Sequence, residues 1–330
     1  MATMSKRISG MATKYNIKHP CFIINWDQTA VLLMQASHYT YSDKKDKQVP
    51  IVGKEEKRQI TAVVTSTLGG DLLPMQLIFK GQDKNKRKKK ATPKIDGLVD
   101  TARLRGWHLT QTPNHWSNLG SMKDFVEKII VKWVEAKARE LKLKVVDTHC
   151  ILLIDCWSVH TGQEFRGWMK THYPNYHLTF VPAGCTSKAQ PADVILQRPL
   201  KAGIINSFNS WMTEEITHLI ILGAKPEEVR VDTGMVKLKS KLVMWMWDSW
   251  RRLKDRETLI VKGWEKCGLG DVLEAENRVE GMRLCMEKPE EEVGVEEDQE
   301  AAEVDSDVED EKDAVEDEEV EEMMDACLRT

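Results

Sequence analysis

Three aspartates stand where a carboxylate is seldom placed without a task. Asp27 ends the apolar run Cys21-Phe-Ile-Ile-Asn-Trp26, and Asp155 ends Cys150-Ile-Leu-Leu-Ile154. Asp193 follows Pro191, which suits an early position of a further helix. Burying a carboxylate beside strands is costly unless it is paired or metal-bound. If the two apolar runs are neighbouring strands, Asp27 and Asp155 project side by side and Asp193 completes an oxygen cluster. Three carboxylates that close repel one another and call for a divalent cation, and all-oxygen ligation suits Mg²⁺ or Mn²⁺ rather than zinc. A site of this kind performs two-metal phosphoryl transfer. Taken singly, each aspartate has another reading, as a turn former or helix cap.

The elements that must position these acids are legible in outline. Residues 21–27 read as a strand buried on both faces with Asp27 at its end. Residues 58–67 and 72–79 are β-branched or apolar and flank Leu68-Gly69-Gly70-Asp71, a turn where glycine supplies positive φ. Together these make a three-stranded antiparallel start, and Pro74 places the third strand at an edge or a bulge. Residues 121–143 carry Phe125, Ile129, Ile130, Trp133, Val134 and Leu141 at helical spacing, with Ser121 and Asp124 as a weak capping box. A second buried strand over 150–155 is followed by Thr161-Gly-Gln-Glu164, a capping-box spacing that opens a helix to about Thr171, and then by a strand at 177–181. Strand, helix and strand form a βαβ unit with parallel strands and a right-handed crossover. Pro199 is expected to kink or interrupt the helix carrying Asp193. Residues 203–222 and 236–265 read as helices of a packed C-terminal part, and the tryptophans of Trp245-Met-Trp-Asp-Ser-Trp250 belong to its core rather than to a base-stacking surface.

Composition bounds the rest. No apolar run in the 330 residues reaches the roughly 18 that a membrane span needs. The seven cysteines are scattered without a CxxC pair, and no secretory leader precedes them, which points to a reducing compartment, cytosol or nucleus. The net charge of -4 conceals a split. Residues 287–330 hold 22 acidic side chains against Lys288, Lys312 and Arg329, leaving 45 basic against 30 acidic in residues 1–286. A basic body joined to an acidic tail suggests a polyanionic partner. The tail lacks the apolar residues to offset the ordering of its backbone and is expected to be disordered. It reads either as a solvating appendage or as a DNA mimic that lowers non-specific DNA affinity.

Five stretches carry a resemblance. They are Asn25-Trp-Asp-Gln-Thr29, Glu56-Lys-Arg-Gln-Ile-Thr-Ala-Val-Val64, Leu77-Ile-Phe-Lys-Gly81, Leu153-Ile-Asp-Cys-Trp-Ser-Val-His160 and Phe180-Val-Pro-Ala-Gly-Cys-Thr-Ser-Lys-Ala-Gln-Pro-Ala-Asp193. In this order they resemble the blocks of the DDE superfamily endonuclease domain, and most of all the pogo-like branch of the mariner transposase superfamily. The resemblance spans about residues 21–225 and includes Pro199-Leu-Lys201. It implies an RNase H-like α/β fold with a mixed sheet, to which the residue pattern adds the helical C-terminal part and the disordered acidic tail. It places the catalytic, metal-binding triad on Asp27, Asp155 and Asp193, with Mg²⁺ or Mn²⁺ as a pair of ions. The implied reaction is attack of water on a DNA phosphodiester, followed by strand transfer from the freed 3′-hydroxyl, in the nucleus. The sequence departs from the family where Cys156 and Trp157 follow the second aspartate and where Ala192 precedes the third. Both changes alter packing around ligands.

On this reading the chain divides into an N-terminal extension (1–20), a catalytic domain (21–225), a helical part (226–286) and the tail (287–330). About twenty residues ahead of the first strand leave no room for the helix-turn-helix reader of the family, so DNA specificity would come from a separate DNA-reading protein or a homodimer. The alternative is a domesticated descendant that binds DNA or chromatin without cutting it. An RNase H-like protein acting on RNA would use the same metal chemistry. His160 and Gln190 have two readings each, positioning the scissile phosphate or making a local structural hydrogen bond, the latter being the commoner lot of an isolated histidine. The cluster Lys84, Lys86, Arg87, Lys88, Lys89 and Lys90 reads as a DNA-backbone contact, a nuclear import signal or a solvated loop.

Overall fold

A computed structural model describes residues 2–34, 58–81 and 100–274, apart from 101, 104, 183, 226 and 227. Its centre is a six-stranded sheet of order β4-β3-β2-β1-β5-β6. The strands are β1 (Ile23–Leu32), β2 (Gln59–Thr67), β3 (Gln76–Lys80), β4 (His108–Thr112), β5 (Cys150–Ile154) and β6 (Tyr176–Phe180). β1, β2 and β3 pair antiparallel, while β5 pairs parallel with both β1 and β6. An antiparallel start continued by parallel strands is the arrangement expected of an RNase H-like α/β fold.

β1 is longer than its apolar run implies. It continues through Asp27 to Leu32 because residues 27–32 stay paired with β2, Asp27 opposite Val64 and Leu32 opposite Gln59. Asp27 therefore lies within the strand, beyond its last pairing with β5, and not at the strand's end. The 68–71 turn forms as expected, with Gly70 at φ 88°. Pro74 does not mark an edge strand. It precedes β3 in an irregular stretch anchored by Leu73 N donating to Thr65 O (3.0 Å), and β4 pairs parallel along the far side of β3. β4 itself, His-Leu-Thr-Gln-Thr, has only one apolar residue and gave no strand signal.

On one face of β1 the side chains of Trp26 and Gln28 meet helix α2 (Leu119–Phe125), which runs through a wide π turn (Val126–Val131) into α3 (Lys132–Glu140). The cap of α2 is Asn118 and not Ser121. Asn118 Oδ1 accepts from Ser121 N at 3.0 Å, while Ser121 Oγ accepts from Asn118 N at 2.8 Å. Ser121 is thus the third residue of the helix, answering a cap three positions earlier. The spacing Thr161–Glu164 forms no capping box. Thr161 Oγ1 donates back to the carbonyl of Trp157 (3.3 Å), so the segment splits into α4 (Ser158–Thr161) and α5 (Gln163–His172) about Gly162.

The other face is covered by the C-terminal helices. A short helix α6 (Thr186–Ala189) leads to a second π turn (Ala192–Leu196), which runs directly into α7 (Gln197–Ile221). Pro199 leaves α7 unbroken, because the wide turn just ahead of it loosens the ladder where a missing N–H and the proline ring would otherwise conflict. Residues 236–265 form two helices, α8 (Met235–Lys254) and α9 (Glu257–Lys266). Trp245, Trp247 and Trp250 are buried, and Trp250 Nε1 donates to Leu73 O (2.8 Å) as Trp264 Nε1 does to Ser66 Oγ (3.2 Å). Burying each indole contributes on the order of 4–6 kcal/mol of transfer free energy. The helical part is thereby fastened to β2 and to the segment leading into β3. One hydrophobic core extends from Met4 of α1 (Ala2–Lys14) to Val272. Among the described residues no helix is long and apolar enough to cross a membrane.

Gly263 lets α9 close on the π turn that carries Asp193. A Cβ there would fall 2.1 Å from Ile195 Cγ2 and 2.8 Å from its Cβ. Glycine to alanine inside a helix ordinarily stabilises by roughly 1 kcal/mol, but here the overlap reverses the sign. Gly263→Ala is expected to destabilise the protein by about 1–3 kcal/mol, measured as a lower urea midpoint with an unchanged slope. An unchanged or higher midpoint would show that the π turn gives way freely.

Candidate metal-dependent site

Register brings the first two acids together. β1 and β5 pair as Ile23 with Ile151, Ile24 with Leu152 and Asn25 with Leu153. Carried two residues further, the same offset sets Asp155 beside Asp27, and both line one pocket of about 280 Å³. The third acid is brought in by Asn25, which is fully buried. Its Nδ2 donates to Leu153 O (2.9 Å) and its Oδ1 accepts from Ala192 N (3.0 Å), so a single side chain ties β5 and the π turn of Asp193 to β1.

Asp27 and Asp193 lie within hydrogen-bonding reach of each other. Gln197, one turn along from Asp193, donates from its Nε2 to Asp27 Oδ2 and to Asp193 Oδ1, both at 2.5 Å. Burial above all, then the charge of Asp193 and the hydrogen bond to it, push the Asp27 carboxyl up from 3.8 to about 8, and the charge of Asp155 adds to the effect. Burial also raises Asp193, against the opposing pull of Asp27's hydrogen bond. Asp155 is held separately: His160 Nδ1 lies 2.5 Å from its Oδ1. That imidazole is almost wholly buried, edge-on to Trp26 and Trp157, and its Nε2 has no hydrogen-bond partner among the described residues. His160 thus makes a hydrogen bond at a helix entry, and the bond fixes the orientation of a candidate ligand.

Gln190 is buried under β1, its Nε2 donating to Trp26 O at 3.4 Å, and serves to seat the chain ahead of Asp193. Cys156 Sγ donates to Val181 O (3.0 Å), joining the ends of β5 and β6. The basic cluster Lys84–Lys90 and the acidic segment 287–330 lie outside the described residues. Two contributors had been missed. Asn25 carried the signal of an amide inside an apolar strand, and Gln197 that of an i, i+4 partner to Asp193 on a helix.

Among the described residues, no three His, Cys, Asp or Glu side chains stand close enough together to hold a metal ion between them. The acids gather as a bonded pair, Asp27 with Asp193, and a third, Asp155, that shares a pocket with Asp27. The chemistry of this donor set fits a hard divalent cation: oxygen ligands only, crowded enough that one carboxyl retains its proton until about pH 8. A cation held by these carboxylates would supply the positive charge that the proton otherwise provides.

The DDE superfamily endonuclease family matches residues 57–264. The chain belongs to that family. The matched span includes Asp155 and Asp193, with Asp27 ahead of it. The human protein "Pogo transposable element with KRAB domain" is 21% identical over 256 residues, which cover 77% of this chain and 36% of that protein. Its mouse counterpart is 22% identical over 258 residues with the same coverage. The chain therefore spans little more than a third of the length of these relatives. Among solved structures, the Mos1 mariner paired end complex with Mn gives a TM-score of 0.41 at 13% identity, covering 84% of this chain and 62% of that one. The catalytic domain of Mos1 mariner transposase gives 0.34 at 11%, covering 78% and 93%.

The raised Asp27 has a definite effect on stability. Between pH 3.8 and about 8 the folded chain holds a proton that the unfolded chain releases. Stability contributed by this group is therefore greatest at low pH, falls as pH rises through that window and levels off above it. Asp27→Asn removes this slope and is expected to raise Tm in EDTA at about pH 9 by roughly 2–4 °C. Mg²⁺ should then raise Tm for the unsubstituted chain and leave Asp27→Asn unmoved. Equal Tm values for the two proteins in EDTA from about pH 5 to 9 would show that the carboxyls are not in conflict.

Proposed function

We propose that this chain is a transposase-derived DNA endonuclease domain that cuts a phosphodiester with Mg²⁺ or Mn²⁺, two ions at a time, and that it acts in the nucleus. The observation that carries the reading is the meeting of Asp27 and Asp155 in one pocket just beyond the β1–β5 pairing, with Asp193 drawn to Asp27 by the bonds of Asn25 and Gln197. Family membership supports it, and the pogo relatives named as transposable elements point to DNA rather than RNA.

Asp27, Asp155 and Asp193 would hold the ions. When bound, the ions would activate the attacking water and stabilise the leaving oxygen. The chain's other residues set the geometry. His160 keeps Asp155 from turning, Asn25 fixes the height of the π turn against the sheet, and Gln197 steadies the two carboxyls that burial has crowded. DNA would be gripped by the basic body, with Lys84–Lys90 contacting the backbone. Sequence choice would fall to a separate reader or a second copy. Strand transfer would use the same acids on the freed 3′-hydroxyl.

A second reading has one observation in its favour. Gln197 engages Asp27 and Asp193 at once, and no three of the described acids surround a common point. This suits a domesticated DNA- or chromatin-binding protein that no longer cuts. Nicking of supercoiled plasmid in Mg²⁺, with Asp155→Asn alongside, separates the two. On the enzymatic reading the unsubstituted chain nicks and Asp155→Asn is at least about 100-fold slower, the loss expected when roughly 3 kcal/mol of transition-state stabilisation is removed. DNA binding with no nicking by either protein would decide for the second.

A further inference from the structure

Gln197 does more to the acids than hold them. It is the first residue of α7, and its backbone N–H donates to Ala192 O to close the π turn. Ala192 N donates in its turn to Asn25 Oδ1, so the backbone of Gln197 is tied through the turn to β1. The side chain is only half-buried and can rotate outward while that backbone stays fixed.

From this anchor the amide reaches back between two carboxyls. Its Nε2 lies 2.5 Å from Asp27 Oδ2 and 2.5 Å from Asp193 Oδ1, with one hydrogen for each. Mg²⁺ takes its oxygen ligands at about 2.0–2.1 Å, so the nitrogen is only about half an ångström further from each oxygen than a bridging ion would be. The amide and an ion cannot share that point. An amide NH₂ has two donors and no acceptor, so it presents partial positive charge to the carboxyls but cannot ligate a cation. An ion arriving there has to break hydrogen bonds to charged groups, which are among the stronger ones. The other side chains that hold the site leave the point open: His160 binds Asp155, and Asn25 reaches the turn through Ala192 N rather than through a carboxyl. With the space between Asp27 and Asp193 filled, the described acids form a pair and a separate Asp155 instead of three about one centre.

We infer that the Gln197 amide stands in the place of a divalent ion between Asp27 and Asp193 and must turn away before an ion binds there, so that Gln197 sets how much metal the site needs to load. The inference rests on the metal-dependent reading above and adds to it the residue that restrains loading.

The test titrates the full chain with Mn²⁺ alone and follows the free ion by its electron paramagnetic resonance signal. Ions taken up by the acidic segment 287–330 are common to all the proteins and are removed by subtracting the curve of Asp27→Asn. Gln197→Ala is expected to bind Mn²⁺ about 5- to 30-fold more tightly than the unsubstituted chain, the gain from no longer displacing the amide. Gln197→Met, which keeps the length of the side chain without its donors, should do the same. A site that is blank in the unsubstituted chain and filled in both variants would support the inference equally. If the unsubstituted chain exceeds Asp27→Asn but the two variants bind no better than it does, or more weakly, the amide positions or joins the ligands; the inference is then wrong and the metal reading stands. If all four proteins take up Mn²⁺ alike, both fall. Cooperative melting of each variant without metal excludes misfolding, and should Gln197→Ala fail that check, Gln197→Met carries the comparison.

Discussion

Crowding of negative charge under a packed sheet is the constraint around which this molecule is arranged. Asp27 and Asp193 are half-buried together, so that both carboxyls ionise only at a cost, and Asp155 adds its field from beside them. In a domain whose net stability is on the order of 10 kcal/mol, such a conflict has to be offset elsewhere. The offset is visible in the surroundings: a fully buried asparagine with its amide group bonded on both sides, a glutamine spanning two carboxylates, and tryptophans whose indole N–H groups reach across to the sheet.

These supports differ in kind. The hydrogen bonds of Asn25 set direction and distance but add little net free energy, about 1 kcal/mol each once exchange with water is counted. The indoles of Trp250 and Trp264 add apolar burial shared with the rest of the core, and each also places its one polar atom on β2 or the chain just beyond it. Apolar burial is non-directional, so by itself it would let the C-terminal helices slide over the sheet. The few polar ties prevent that and keep Asp193 level with Asp27.

Much of this was legible beforehand. Apolar runs of six and five residues marked β1 and β5, the double glycine marked the turn after β2, and the βαβ spacing fixed β5 and β6 as parallel. Those features made Asp27 and Asp155 neighbours on the condition that β1 and β5 lie side by side, which the observed pairing meets. Other features depended on contacts between distant segments and left no local trace. β4 is strand only because β3 offers it an edge, since its own residues are mostly polar. The helix cap fell on Asn118 rather than Ser121 because two side chains three apart can each serve the other, and composition does not say which comes first. Gln197 was missed because its role depends on an aspartate 170 residues earlier in the chain.

The π turn at Ala192–Leu196 has a consequence for how this chain can vary. A π turn holds one residue more than the α-turn it replaces, and losing that residue would rotate everything before it by about 100° relative to α7. Asp193 would then swing off the sheet while every helix and strand stayed intact. Deleting one codon within this stretch is expected to leave the sheet and its covering helices in place and to turn the third acid away from Asp27. The number of residues in this turn matters to the site alongside the identity of Asp193.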